Sequence, residues 1–156
     1  MGSGVGLTAI SLSYSKPKNI VLTDYLPTIL HNCKINLELN HIPIENDIHQ
    51  NGYHIEHLDW TETPKIPSNF DILLAADVIY DKPVIGPLTQ TILHFMTPKT
   101  VMYMIMTLRN ENTYEYFQKE CLLRNLEIQD VTKEYQKMNL FLYPPNQIFI
   151  LKITLV

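Results

Sequence analysis

The sequence predicts an α/β layer fold, and three observations carry that expectation. Strand-like and helix-like segments alternate along the chain. The most apolar runs, Ile72–Ala76 and Val101–Met106, are strand-sized. Phe70–Ala76 is apolar almost throughout, the pattern of a strand covered on both faces. At 156 residues the chain suits one compact domain.

Taken in order, the chain opens on a glycine loop, Gly2-Ser3-Gly4-Val5-Gly6, and Leu7–Ser13 reads as a short helix. Ile20–Leu22 is a short strand ending at Thr23-Asp24. Pro27 opens a helix running to Asn40, with Leu30, Cys33, Leu37 and Leu26 on one face. His41–Gly52 is a polar loop, Tyr53–Leu58 a strand ending at Asp59-Trp60, and Thr61–Asn69, with Pro64 and Pro67, a connection. After the Phe70–Ala76 strand a helix is expected over Val84–Phe95, then the Val101–Met106 strand ending in Thr107-Leu108-Arg109-Asn110. Thr113–Arg124 reads as a helix with a stripe of Tyr116, Phe117, Cys121 and Leu122. Leu126–Val131 and Gln147–Leu155 close the chain as antiparallel partners across Leu140–Pro145. No repeat or domain boundary is visible, so one domain over residues 1–156 is expected.

Composition narrows the function. Twelve Lys and Arg against sixteen Asp and Glu give a net charge of −4, which argues against a protein built on phosphate contacts. No apolar run approaches the ~20 residues needed to span a bilayer, and no secretory signal is visible. Cys33 and Cys121, far apart and without CxxC spacing, read as reduced intracellular thiols. The six histidines show no metal-ligand spacing; His54 and His57, three apart on a strand, fall on opposite faces. No zinc-hydrolase, serine-hydrolase or P-loop motif occurs.

In open α/β sheets ligands bind where strands end, so the residues just after each strand carry the chemistry. The glycine loop departs from the dinucleotide pattern, because Leu7 stands where the third glycine belongs. It still lets backbone N–H groups approach a ligand closely. Asp24 stands where a carboxylate accepts from two ribose hydroxyls, and a helix-capping role explains it as well. Asp59-Trp60 offers a carboxylate and an aromatic face for an adenine; the same Trp also suits plugging the sheet edge. Asp77, followed three residues later by Tyr80, points a carboxylate into the crevice, where a substrate amine would be its partner; a turn cap is the alternative. For Arg109-Asn110 a solvated turn and helix cap is the preferred reading.

Together these stations resemble the seven-β-strand S-adenosylmethionine-dependent methyltransferases, and within them the methyltransferase-like protein lysine methyltransferases. That branch carries a G-S-G-x-G loop, an acid ending strand 2, L-D-W ending strand 3 and D-x-x-Y after strand 4. Here they are Gly2–Gly6, Thr23-Asp24, Leu58-Asp59-Trp60 and Ala76-Asp77-Val78-Ile79-Tyr80. Thr107–Asn110 and Leu140-Phe141-Leu142-Tyr143-Pro144 look most similar to the branch that modifies elongation factor 2.

The resemblance implies a Rossmann-like sheet with helices on both faces. Only Met1 precedes the glycine loop, where the family has an apolar strand, so the seven-stranded sheet is expected without its first, central strand in this chain, and the 156 residues are expected to fold poorly alone. The resemblance also implies S-adenosylmethionine as cofactor, held by Gly2, Ser3, Gly4, Asp24, Asp59, Trp60 and Ala76, with Asp77 and Tyr80 at the methyl-acceptor site. Elongation factor 2 is the implied partner of a cytoplasmic monomer that uses no metal, nucleic acid or membrane. The alternative is a catalytically impaired relative acting as a binding or scaffold module. A dinucleotide oxidoreductase is disfavoured by Leu7 and by the Asp-Trp and D-x-x-Y stations.

Overall fold

The computed structural model describes residues 1–137 and 148–156, and these fall into two compact units, Met1–Glu62 and Thr63–Val156.

In the first unit the glycine loop leads into helix α1 (Leu7–Leu12), followed by strand β1 (Asn19–Asp24), helix α2 (Pro27–Leu39) and strand β2 (Gly52–His57). Proline fits the first turn of α2 because that turn's N–H groups have no helical partner. At its other end the Asn40 amide donates to the Asn36 carbonyl at 2.8 Å, closing the last turn as expected of a stop residue. The buried face of α2 is Cys33 and Leu37, which join Ala9, Leu22 and Ile42 in the core of the unit. Burying a leucine this fully is worth about 1.5–3 kcal/mol. Leu26 was expected on that face but is exposed: it precedes the helix in extended conformation, off the helical repeat.

β1 and β2 pair in parallel, from Asn19 opposite Gly52 to Asp24 opposite His57. His54 is buried and His57 exposed, as their odd spacing requires. The His54 ring lies between two carbonyls of the preceding loop, Nδ1 3.1 Å from Glu45 O and Nε2 3.1 Å from Gln50 O. It fastens that loop to the sheet.

The second unit is a four-stranded sheet ordered β3-β4-β6-β5. It contains β3 (Ile72–Ala76), α3 (Lys82–Phe95), β4 (Val101–Thr107), α4 (Glu111–Leu122), β5 (Leu126–Asp130), α5 (Thr132–Gln136) and β6 (Ile148–Leu155). β3 and β4 are parallel, while β6 runs antiparallel to both β4 and β5. Leu73, Ala75, Met102, Met104, Met106, Leu151 and Ile153 are buried, together with Ile85, Leu88 and Ile92 of α3 and Phe117 and Cys121 of α4.

Three expectations need correction in this unit. α3 begins at Lys82 rather than Val84, because Pro83 occupies its first turn. Leu122 is 76% exposed, and the buried stripe of α4 is Thr113, Phe117 and Cys121, a strict i, i+4, i+8 row. β5 stops at Asp130, whose carboxylate accepts from the Thr132 N–H at 2.9 Å and starts the short α5. The expected turn at Leu140–Pro145 and the Leu140–Pro144 motif lie outside the described residues.

Six strands lie among the described residues, where β1 pairs only with β2 and β3 only with β4.

Candidate functional site

The first unit gathers the glycine loop, Asp24 and Asp59. Gly2, Gly4 and Gly6 all have positive φ (62°, 53° and 88°), a conformation that costs other residues strain. The loop is tied to the end of β1, since the Ser3 N–H donates to Thr23 O at 2.8 Å. Gly6 has a second reason to be glycine: a Cβ there would lie 2.8 Å from Cys33 Sγ. At Gly4 a Cβ would meet nothing within 4 Å, so this part of the loop faces open space.

Asp24 holds the loop open. Its Oδ2 accepts from the Gly4 N–H at 3.1 Å and its Oδ1 from the Leu26 N–H at 3.3 Å. Each carboxylate oxygen keeps a lone pair for a further donor. The Leu58 N–H donates to Asp24 O at 3.0 Å, which brings the end of β2 and the following Asp59 beside this station. Asp59 Oδ1 accepts from both the N–H (2.8 Å) and the hydroxyl (2.7 Å) of Thr61. Those bonds hold the Asp59 carboxyl below its ordinary range. Trp60 follows, partly buried.

The second unit holds Ala76, Asp77 and Tyr80. Ala76 and Tyr80 are exposed, while Val78 and Ile79 between them are buried and anchor the segment. Asp77 adopts φ +56°, turning the chain sharply off β3; aspartate is among the few non-glycine residues that tolerate this. Its N–H donates to Ile105 O at 2.8 Å. Its Oδ2 receives the Arg109 guanidinium in a close ion pair.

Arg109 is exposed in the turn after β4, as the solvated-turn reading has it, and the contact that sequence reasoning did not supply is its ion pair with Asp77. The register that sets Ala76 opposite Ile105 also sets the end of β4 beside that of β3, so the signal lay in strand pairing, which local sequence does not carry. For Asn110 the capping expectation is met: its Oδ1 accepts from the Thr113 N–H at 3.2 Å.

Among the described residues no three His, Cys, Asp or Glu side chains converge in a way that suits a metal ion. A cleft of about 600 Å³ in the first unit, between α2 and residues 42–46, is lined by none of the expected site residues.

A profile of the family described as lysine methyltransferase matches residues 1–121, a stretch that contains every station above. The chain belongs to that family. An uncharacterised Dictyostelium discoideum protein is 35% identical over 186 residues, an alignment covering 99% of this chain and 51% of that one. Mouse protein-lysine methyltransferase METTL21E is 28% identical over 92% of this chain and 57% of its own length. Mouse EEF1A lysine methyltransferase 3 is 24% identical over 92% of this chain and 58% of its own length. The chain thus spans about half the length of the curated relatives it matches. Among solved structures, a TehB-like SAM-dependent methyltransferase from Corynebacterium glutamicum superposes with a TM-score of 0.67 at 12% identity, over 99% of this chain and 77% of that one. At that identity the likeness establishes the fold alone.

Proposed function

We propose that this chain carries the catalytic fold of an S-adenosylmethionine-dependent protein-lysine methyltransferase that modifies translation elongation factor 2 in the cytoplasm as a monomer. The observation that carries the reading is the family match over a stretch holding all four motif stations in order. The EEF1A-directed relative supports a translation factor as the substrate class, and Thr107–Asn110 favours the elongation factor 2 branch.

The residues present suit the cofactor. The positive-φ glycines leave open space at Gly4 where a ligand's methionine end would lie. Ser3 Oγ is buried without a conventional hydrogen-bond partner, the Cys33 thiol beside it offering only a weak one. By the family resemblance Gly2, Ser3 and Gly4 would hold the methionine portion, Asp24 the ribose hydroxyls and Asp59 with Trp60 the adenine, while Ala76 would flank the cofactor. When bound, S-adenosylmethionine would supply an electrophilic methyl on a positive sulfur, a good leaving group for a neutral amine to displace. Asp77 orients the lysine amine through a hydrogen bond, and Tyr80 walls the acceptor channel. These residues contribute position and desolvation rather than acid–base chemistry.

The test is transfer of labelled methyl from S-adenosylmethionine to proteins of a cell lysate. One labelled band of elongation factor 2 size is expected, and Asp77→Ala should abolish it. A labelled band of elongation factor 1A size instead would keep the lysine methyltransferase reading and replace the substrate. Cofactor binding with no transfer to any protein would favour the impaired binding or scaffold module.

A further inference from the structure

We infer that Arg109 is a positioning residue that keeps the acceptor lysine in its neutral, reactive form by cancelling the charge of Asp77. The inference rests on the acceptor role proposed above for Asp77.

The geometry has two parts. The first is that Asp77 is projected beyond the sheet: it leaves β3 at φ +56°, with its N–H held by Ile105 O at 2.8 Å. Second, the Arg109 guanidinium engages Oδ2, and among the described residues no ion pair to Oδ1 is formed. The pair is solvent-exposed, with 57% of the Arg109 side chain and 43% of Asp77 accessible. Such exposed pairs contribute little to stability, so the arrangement is poorly explained as a fold-stabilising bond.

Its chemical consequence is larger. The nucleophile is the amine lone pair, and a protonated lysine has none to donate. An unpaired Asp77 carboxylate would stabilise the ammonium and raise the pH at which the amine becomes available. With Arg109 in place the pair has no net charge, and Oδ1 still accepts a hydrogen bond from a neutral amine. Charge is cancelled while orientation is kept.

Other charged groups lie on the flanking elements. Asp81 and Lys82 open α3, and Lys82 Nζ lies over the Tyr116 ring, 5.2 Å from its centroid. Glu111 opens α4, and Tyr80 lies between Asp77 and Asp81. The residues of β6 opposite the end of β4 are Ile148 and Phe149, which carry no charge.

The experiment compares wild type, Arg109→Ala and Arg109→Lys. With saturating S-adenosylmethionine and lysate acceptor, the pH of half-maximal rate should rise by about one unit in Arg109→Ala and return close to wild type in Arg109→Lys. At high pH the alanine variant should recover most of its rate. A structural role would instead lower the rate by the same factor at every pH, and that result would overturn the inference. A second measurement needs no activity: n-butylammonium, a lysine side-chain mimic, is titrated at pH 7 while the Asp77 carboxyl carbon is followed by NMR. Arg109→Ala should bind it about tenfold more tightly than wild type, since the freed carboxylate prefers a cation. Equal affinity would sink the role of Arg109. If wild type transfers no methyl at any pH, the functional reading fails by itself, and the titration still decides the fate of the pair.

Discussion

Asp24, the last residue of β1, and Asp77, the first residue after β3, both stand where a strand ends, yet their surroundings differ. Asp24 is bound by N–H groups of Gly4 and Leu26, so its carboxylate shapes the loop that it also serves. Asp77 is bound by the guanidinium of an exposed arginine. Backbone partners cannot leave without remodelling the chain, whereas a side-chain partner exchanges at little cost. On the roles proposed above, the contrast suits a preformed cofactor station at Asp24 and an acceptor station at Asp77 that exchanges its partner.

Exchanging the two losses is the sharpest way to break this comparison. Asp77→Ala should cut methyl transfer by about 100-fold or more while leaving the dissociation constant for S-adenosylmethionine within about threefold. Asp24→Ala should instead weaken cofactor binding by about tenfold or more, because charge-assisted hydrogen bonds and the loop's own support are both lost. Calorimetric titration beside a transfer assay separates them; equal loss of cofactor in both variants would erase the distinction.

Next in size is the packing beneath the loop. Leu37→Ala empties a fully buried position and should cost about 2–5 kcal/mol in urea unfolding. Gly6→Ala meets both a positive φ and the Cys33 sulfur, and about 1–3 kcal/mol is expected there. Gly4→Ala, with the same φ sign but open space beside it, should cost less stability than Gly6→Ala and impair cofactor binding instead.

The thiols give a smaller, chemical readout. Burial pushes the Cys121 thiol up to about 12 and raises Cys33 as well. At pH 8 the Cys121 thiolate is then about one part in ten thousand, so a thiol reagent should react with neither cysteine until the chain unfolds.

The smallest effect concerns Asp59. Its carboxyl is held low by the Thr61 bonds, so its contribution is present above the ordinary carboxylate value and is lost as pH falls through the lowered one. Thr61→Ala removes the hydroxyl donor and leaves the N–H. The Asp59 titration, followed by carbon NMR, should move part of the way back up.

Much of this was legible from residue order. Apolar runs of strand length, Pro27 and Asn40 around α2, and Asn110 before α4 act through local geometry, and each produced the element expected. Leu122 was misplaced because a stripe counted by composition ignores the 100° step between neighbours, which sends Leu122 away from Cys121. α5 was missed because the Asp130 carboxylate that accepts from the Thr132 N–H sits inside a run of strand-like residues.

The sequence by itself determined the alternating layers, the glycine loop and the carboxylates placed at strand ends, since these follow from periodicity and backbone conformation. Only the tertiary structure decided what each carboxylate touches. Asp24 and Gly4 are 20 residues apart, and Asp77 and Arg109 are 32 apart; both meetings depend on the strand register or loop placement that brings them together. A partner reached through such long-range pairing leaves no local periodic trace in the chain. That is why nothing near Arg109 in the sequence pointed to Asp77 as its partner.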